Sequence, residues 1–139
     1  MSLFVDTSVW SLALRRDEPS GAPEVKVLRQ ALEGGEIVVT TGLILQELLQ
    51  GFAGPRARKD IVERFTALPL LVPDRQDHID AADLRNRCRR AGVQLGTIDA
   101  LLAQLCVRHE LTLLTTDNDF VRAASHCPLR LWEHGREAG

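Results

Sequence analysis

Near its start the chain reads Leu3-Phe4-Val5-Asp6-Thr7-Ser8, a short apolar run that ends directly in an acidic residue and two hydroxyls. Such a run, bounded by turn-forming residues, is typical of a buried strand. A later run of the same kind, Leu111-Thr112-Leu113-Leu114-Thr115, is followed by Asp117 and Asp119. Further short apolar runs lie between these two and alternate with segments of helical spacing. Alternating strands and helices predict an α/β fold with a parallel sheet.

The predicted elements cover almost the whole chain. Strands are expected at 3–5, 37–40, 70–72, 111–115 and 129–132, and helices at 9–14, 24–33, 43–50, 56–67, 77–91, 97–109 and from 117 or 119 onward. Thr97 is expected to cap the sixth helix. Because the chain contains no repeat and no low-complexity linker, the pattern predicts one domain over residues 1–139.

Composition restricts the function. The chain has 139 residues, 45% of them hydrophobic, which is enough for a real core. Aromatic residues make up 4% and the net charge is −2, which argues against a base-stacking platform and against a strongly basic nucleic-acid-coating protein. Three cysteines without zinc-site spacing, no signal-peptide pattern and no apolar run of the roughly 20 residues that span a bilayer predict a soluble cytoplasmic protein with reduced thiols.

Four acidic positions stand out against apolar surroundings. Asp6 and the pair Asp117 and Asp119 follow predicted strands, and they are expected to lie together because the carboxyl ends of parallel strands meet at one edge of a sheet. Glu47 and Asp99 interrupt otherwise apolar helical segments. Helix caps, worth about 1 kcal/mol each, or solvated helix positions explain any one of these acids. Together they predict a shared pocket, and Glu47 carries the most weight because its apolar neighbours leave little room for a solvent face.

A shared pocket of carboxylates indicates a divalent cation. Gathered carboxylates repel each other unless a cation lies between them. Ligand sets made only of oxygen suit Mg²⁺, with Mn²⁺ as an alternative, and no His or Cys with zinc-site spacing accompanies these acids. Since Mg²⁺ orients an attacking water, lowers its pKa and neutralises charge on a phosphate, the pocket predicts chemistry at a phosphate.

Four short segments that each contain one of these acids follow one another in a familiar order. They are Val5-Asp6-Thr7-Ser8-Val9-Trp10, Gln46-Glu47-Leu48-Leu49-Gln50-Gly51, Ile98-Asp99-Ala100-Leu101-Leu102-Ala103 and Leu114-Thr115-Thr116-Asp117-Asn118-Asp119-Phe120. In this order the chain resembles the PIN-domain ribonucleases, and within them the VapC toxins of bacterial toxin–antitoxin pairs. The resemblance covers nearly the whole chain and rests on the four segments jointly.

The resemblance implies a three-layer α/β/α sandwich around a mostly parallel sheet of four or five strands. It also implies a Mg²⁺-dependent endoribonuclease that cuts structured RNA such as tRNA or ribosomal RNA, a cognate VapB-type antitoxin and a homodimer. The implied site residues are Asp6 and Asp99 as the most direct metal ligands, Glu47 and Asp117 as the rest of the catalytic set with Asp119 in support, and Thr7 or Ser8 and Thr115 or Thr116 as hydroxyl contacts. Between the two last acids, Asp117 is favoured as catalytic and Asp119 as a helix-start residue.

A basic segment, Arg85-Asn86-Arg87-Cys88-Arg89-Arg90, precedes Asp99 in the sequence. Arg87 and Arg89 are candidates for contacts to RNA phosphates that flank the cut site. A solvated helix face explains the same residues equally well.

Two competing functions belong to other classes. The first is a PIN-like module that binds RNA or protein without cutting it, although such a module would be expected to have lost some of the acids. The second is a phosphatase of the haloacid-dehalogenase type, which needs a second Asp shortly after the first strand. Asp6-Thr7-Ser8 lacks that residue. A metal-free mechanism with a histidine acid–base pair has no support in the scattered histidines.

Overall fold

The computed structural model of the protein describes residues 1–15 and 20–133. Within these ranges the strands are β1 (Leu3–Val5), β2 (Val38–Thr41), β3 (Leu70–Leu71), β4 (Thr112–Leu114) and β5 (Arg130–Leu131). The helices are α1 (Thr7–Leu14), α2 (Pro23–Glu33), α3 (Gly42–Gly51), α4 (Pro55–Thr66), α5 (Arg75–Arg90), α6 (Thr97–Arg108) and α7 (Asn118–Ala123). The predicted alternation of strands and helices is confirmed. Among the described helices, none is long and apolar enough to cross a membrane.

The strands of the described chain form one sheet in the order β3-β2-β1-β4-β5, with every neighbouring pair parallel. β1 lies at the centre, where Phe4 pairs with Val39 of β2 and with Leu113 of β4. Its three side chains are fully buried, which explains the continuous apolar run, since a central parallel strand is covered on both faces. The flanking helices complete the expected α/β/α sandwich.

The structure differs from the prediction in the starts of α1 and α5, each two residues earlier than expected, and in the cap of α6. α1 begins at Thr7 because the chain turns into the helix directly after Asp6, which occupies the N-cap position. The prediction that Thr97 caps α6 was wrong, since Thr97 is the first helical residue and Gly96, which has no side chain to accept a hydrogen bond, occupies the cap position. Asp99 lies in the first turn of α6, where unpaired backbone N–H groups favour a negative charge.

A charged cluster ties the start of α5 to the end of α6. Asp74 and Asp77 form a capping box, in which each carboxylate accepts the other residue's backbone N–H. Arg108 donates to Asp77 Oδ2 at 2.6 Å and to Asp74 Oδ2 at 3.2 Å. Burial alone would raise the pKa of the Asp77 carboxyl, but these hydrogen bonds and the charge of Arg108 hold that pKa below its usual value. The cluster therefore fixes the helix pair that carries Asp99 at its opposite end.

Replacing Asp77 by Ala is expected to lower the free energy of unfolding by about 2 kcal/mol, because it removes charged hydrogen bonds of a buried carboxylate. Urea denaturation of the purified protein measures this change. Asp83→Ala is the matched control, since Asp83 is an exposed acid on the same helix and its loss should change stability by less than about 0.5 kcal/mol. Equal losses in the two variants would show that the cluster does not stabilise the helix pair.

Candidate active site

Strands β1 and β4 bring two polar segments together at the carboxyl edge of the sheet. Val5 pairs with Leu114, and the backbone N–H of Asp6 donates to the Leu114 carbonyl at 2.9 Å. The hydrogen bonding between β1 and β4 thus continues to Asp6, the first residue after β1. As expected for a parallel sheet, the polar residues that follow the first and fourth strands lie side by side.

Asp6 is buried, with 7% of its surface exposed, and its side chain does not cap α1. Instead Oδ2 accepts hydrogen bonds from Ser8 Oγ at 2.8 Å and from Thr115 Oγ1 at 2.9 Å. The backbone N–H groups of Thr116 and Asp117 donate to those two hydroxyl oxygens, which orients both hydroxyl hydrogens toward the carboxylate. No hydrogen bond from a described residue reaches the other oxygen, Oδ1, which is therefore available to a ligand.

Asp99 is the acid on which the other carboxylates act most strongly. Burial and the negative charges of its neighbours raise the pKa of its carboxyl from 3.8 to about 6. The neighbours, in decreasing order of effect, are Asp6, Asp117, Glu47 and Asp119. The structure therefore brings all of the predicted acids within electrostatic range of Asp99. A carboxylate perturbed by both burial and specific charges marks a candidate functional site.

Glu47 reaches the same site from α3, but not in the way the sequence suggested. The prediction that it has little room for a solvent face was wrong, because Glu47 lies on the exposed side of α3 while Leu48 is buried. Its Oε1 accepts a hydrogen bond from Thr7 Oγ1 at 3.4 Å. Partial burial and the charge of Asp6 raise the pKa of the Glu47 carboxyl, and the hydrogen bond from Thr7 opposes this rise. Glu47 forms the solvent-facing rim of the site.

Asp117 and Asp119 differ in what their carboxylates already bind. Asp117 is the N-cap of α7, and its Oδ1 accepts the backbone N–H of Asp119 at 2.9 Å. Asp119 Oδ1 accepts a hydrogen bond from Arg122 Nη1 at 2.8 Å in an exposed ion pair. Arg122 thus offsets the charge of Asp119, whereas no described cation pairs with Asp117. The prediction that Asp119 is the helix-start residue was wrong, because Asp117 occupies the N-cap, and the choice of Asp117 as the fourth acid stays a prediction.

The oxygen donors at this site fit a hard divalent cation. Carboxylate and hydroxyl oxygens suit Mg²⁺ or Mn²⁺. Among the described residues, no three His, Cys, Asp or Glu side chains converge into a ready-made metal cage. Mg²⁺ does not need one, because it is usually held by one or two carboxylates together with water and substrate oxygens. The pKa of Asp99 is raised first by burial and then by repulsion from its acidic neighbours, and a cation near Asp6 Oδ1 would relieve the repulsion.

The predicted hydroxyl contacts have different roles in the structure. Ser8 contacts Asp6 and Thr7 contacts Glu47, so both belong to the acid site. Of the two candidates after β4, Thr115 supplies the hydroxyl that binds Asp6, whereas Thr116 is exposed and donates its backbone N–H to Ser8.

The basic segment is divided between two sides of α5. Arg89 lines a cavity that extends to Asp119, whereas Arg87 lines a separate pocket beside Gln104 of α6. Arg85 lines the same cavity as Arg89, although the sequence analysis did not single it out. The available signal was spacing, because residues four apart share one face of a helix and residues two apart do not.

Comparison with known proteins matches the chain to one family of domains. The profile of the PIN domain family matches residues 3–125. Ribonuclease VapC11 of Mycobacterium tuberculosis is 30% identical to this chain over 120 residues, which are 85% of this chain and 88% of the relative.

Two solved structures have the same fold. VapBC2 from Rickettsia felis, solved with a DNA fragment from its promoter, has a TM-score of 0.73 at 18% identity and covers 95% of this chain and 98% of its own. VapC20 of Mycobacterium tuberculosis, described as a toxin that cleaves the sarcin-ricin loop, has a TM-score of 0.67 at 19% identity and covers 93% of this chain and 99% of its own. At these identities the likeness establishes the fold alone.

Proposed function

Because this chain belongs to the PIN-domain family and has relatives named as VapC ribonucleases, we propose that it is an endoribonuclease that hydrolyses phosphodiester bonds in RNA with a divalent metal ion, Mg²⁺ or Mn²⁺. The observation that carries the proposal is the gathering of Asp6, Glu47 and Asp117 around Asp99, whose pKa is raised to about 6 by burial and by the charges of these neighbours. Neighbouring carboxylates repel each other and destabilise the fold when no cation is bound, whereas a bound cation removes that repulsion. The catalytic unit is a single PIN domain.

Asp6 and Asp99 are the proposed metal ligands. Ser8 and Thr115 fix Asp6 through Oδ2, so Oδ1 has a defined position from which to bind. A bound metal would neutralise charge on the phosphate and lower the pKa of the attacking water. Glu47 carries its carboxylate at the solvent-facing rim of the site, where it would act as the base that orients that water and takes its proton.

The proposed setting is a toxin–antitoxin pair in the cytoplasm. The relatives that share the fold include VapBC2, which was solved bound to promoter DNA, and this supports a VapB-type antitoxin as the partner of the chain. VapC20, described as cleaving the sarcin-ricin loop, supports a structured RNA as the substrate. A homodimer is part of the same proposal, and light scattering on the purified chain tests it.

Cleavage of total cellular RNA by the purified chain tests the activity. The reactions contain Mg²⁺, Mn²⁺ or EDTA, with the Asp6→Asn variant in Mg²⁺ as a further lane. We expect discrete fragments with the intact chain and metal, and none with EDTA or with the variant. Circular dichroism of both proteins shows whether the variant is folded.

The fragment pattern separates the nuclease from the competing functions. Fragments that persist in EDTA would contradict the metal-dependent mechanism. Binding of RNA without any fragment, by folded protein that is free of antitoxin, would identify the non-cutting module instead. The ends of the fragments, once mapped, name the RNA and the bond that is cut.

A further inference from the structure

A cavity of about 440 Å³ lies between the end of α5 and the start of α6. We call it the arginine cavity, and its lining includes Arg85, Arg89, Val93, Gln94, Gly96 and Asp119. Its volume is within the range of about 300–1,000 Å³ that is usual for small-ligand sites.

The arginine cavity opens next to the acid site. Gly96 lines it and precedes α6, and a Cβ atom added at Gly96 would lie 3.9 Å from Asp99 Oδ2. Asp119 lines the cavity as well and contributes to the raised pKa of Asp99. Gly96 therefore lies at the boundary of the arginine cavity and beside the Asp99 carboxylate, so the two sites are neighbours.

Two guanidinium groups line the cavity without acidic partners. Arg85 and Arg89 are four residues apart on α5 and share a face. Arg85 Nε donates to the Leu95 carbonyl at 2.9 Å, which fixes the guanidinium against the loop between α5 and α6. In residues 1–15 and 20–133, no carboxylate forms an ion pair with either arginine. Because no carboxylate pairs with them, these two arginines can bind an anionic ligand that lies beside the acid site.

Resting on the proposed function, we propose that the arginine cavity binds the RNA nucleotide next to the cleaved bond, with Arg89 contacting its phosphate. Arg85 supplies the second guanidinium, and the wall formed by Val93 and Gln94 contacts the ribose or base. Guanidinium groups bind phosphate through two parallel hydrogen bonds, which gives both affinity and orientation. The cavity would thus hold the strand so that the cleaved phosphate lies at Asp99.

An RNA strand fits this arrangement better than an acidic peptide. The nucleotide presents a phosphate for Arg89 and an uncharged face for Val93, which together match the mixed lining of the cavity. A neighbouring phosphate of the same strand lies at the acid site, so a single ligand accounts for both. An acidic peptide satisfies the arginines as well, but it has no phosphodiester bond to place at the acid site.

Binding of a labelled RNA to Arg89→Ala and Arg87→Ala tests the proposal. Both variants remove one exposed positive charge from α5, but only Arg89 lines the arginine cavity. Fluorescence anisotropy with a fluorescein-labelled single-stranded RNA of mixed sequence, recorded in EDTA, measures binding without cleavage. We expect Arg89→Ala to weaken binding about tenfold and to lower the salt slope by about 0.7, whereas Arg87→Ala weakens it less than about twofold.

Two results would overturn the assignment. One is equal weakening of RNA binding by both variants, which would mean that the loss comes from the change in net charge and not from the arginine cavity. The other is displacement of the RNA by a poly-glutamate peptide at the same charge concentration, which would make the cavity a docking site for an acidic protein. Nitrogen-15 spectra of the arginine Nε groups give an independent readout, since Arg85 and Arg89 should shift with RNA while Arg87 does not.

The outcome separates this proposal from the proposed function. If the intact chain cuts RNA in Mg²⁺ and Arg89→Ala cuts it with an unchanged KM, the cavity assignment fails and the nuclease stands. If RNA binds in an Arg89-dependent way but is never cut, the arginine cavity is an RNA-binding site and the nuclease fails.

Discussion

Replacing Asp99 by Asn is expected to lower the rate of RNA cleavage by about 10³-fold or more while the protein remains folded, since a bound metal supplies several kcal/mol of charge stabilisation in the transition state. The amide keeps the size of the side chain and its place in the first turn of α6. It removes the negative charge that a metal ligand needs. Single-turnover cleavage of an end-labelled RNA, with protein in excess, measures the change in rate without interference from product release.

The same substitution should not weaken the fold of the metal-free protein. The pKa of Asp99 is raised because burial and four other carboxylates disfavour its charged form. A neutral Asn removes this repulsion, so we expect the melting temperature in EDTA at neutral pH to be unchanged or higher. Loss of activity together with retained stability separates a functional role from a structural one.

Asp83→Asn serves as the matched control for this experiment. Asp83 is an exposed acid on α5 and lines a pocket away from the acid site, so its neutralisation should leave the rate within about twofold of the unaltered protein. If Asp99→Asn also cleaves at the unaltered rate, the assignment of Asp99 as a metal ligand is wrong. If both variants lose activity equally, the effect comes from net charge rather than from the site.

The sequence predicted the parts of this site that depend on local pattern. The apolar run at 3–5 identified a buried strand because a fully buried strand needs no alternation. The position of Asp6 and Asp117 directly after strands then placed them at one edge, since parallel strands end on the same side. Order along the chain was therefore enough to bring Asp6 and Asp117 together, whereas Glu47 and Asp99 reach the site from helices.

Features that depend on how a helix is rotated against its neighbours were not predictable. Glu47 was expected to avoid solvent, but α3 turns Leu48 inward and leaves Glu47 exposed. Arg87 and Arg89 were treated alike, yet the packing of α5 on α6 sends them to different pockets. Periodicity shows which residues share a face, but the face that meets a site is decided by packing across the whole domain.

Hydrogen bonds made by loops were also beyond the sequence. Thr115 and Thr116 are adjacent and chemically identical, so the choice of which hydroxyl meets Asp6 depends on the backbone path after β4. In the structure Thr115 Oγ1 accepts the backbone N–H of Asp117 and donates to Asp6. No pattern of residue types records that path.

The affinity for Mg²⁺ is expected to fall about thirtyfold between pH 7 and pH 4.5, because a carboxylate must lose its proton before it binds a metal and the metal-free Asp99 titrates near pH 6. Protons and metal compete for the same group, so each pH unit below the pKa costs about a factor of ten in affinity. Isothermal titration calorimetry of the RNA-free protein measures this directly.

Stability gives a second readout with a defined sign. The pKa of folded Asp99 is about 6 and that of the unfolded residue is 3.8, so the folded protein binds the proton more tightly. The stability that protonated Asp99 contributes to the folded protein is therefore fully present below about pH 4 and is lost as the pH rises through about 6. Mg²⁺ binds the folded protein and opposes this loss. At one fixed Mg²⁺ concentration, the rise in melting temperature should be clearly larger at pH 7 than at pH 4.5.

The Asp99→Asn variant decides whether the pH dependence comes from this carboxyl. Without a titrating group at residue 99, the metal-free protein should lose the decline in stability between about pH 4 and pH 6, and Mg²⁺ should stabilise it little at any pH. Because the neighbouring acids interact with Asp99, a weaker dependence at lower pH is expected to persist through them. Equal stabilisation by Mg²⁺ at pH 4.5 and pH 7 in the unaltered protein would mean that the metal binds elsewhere.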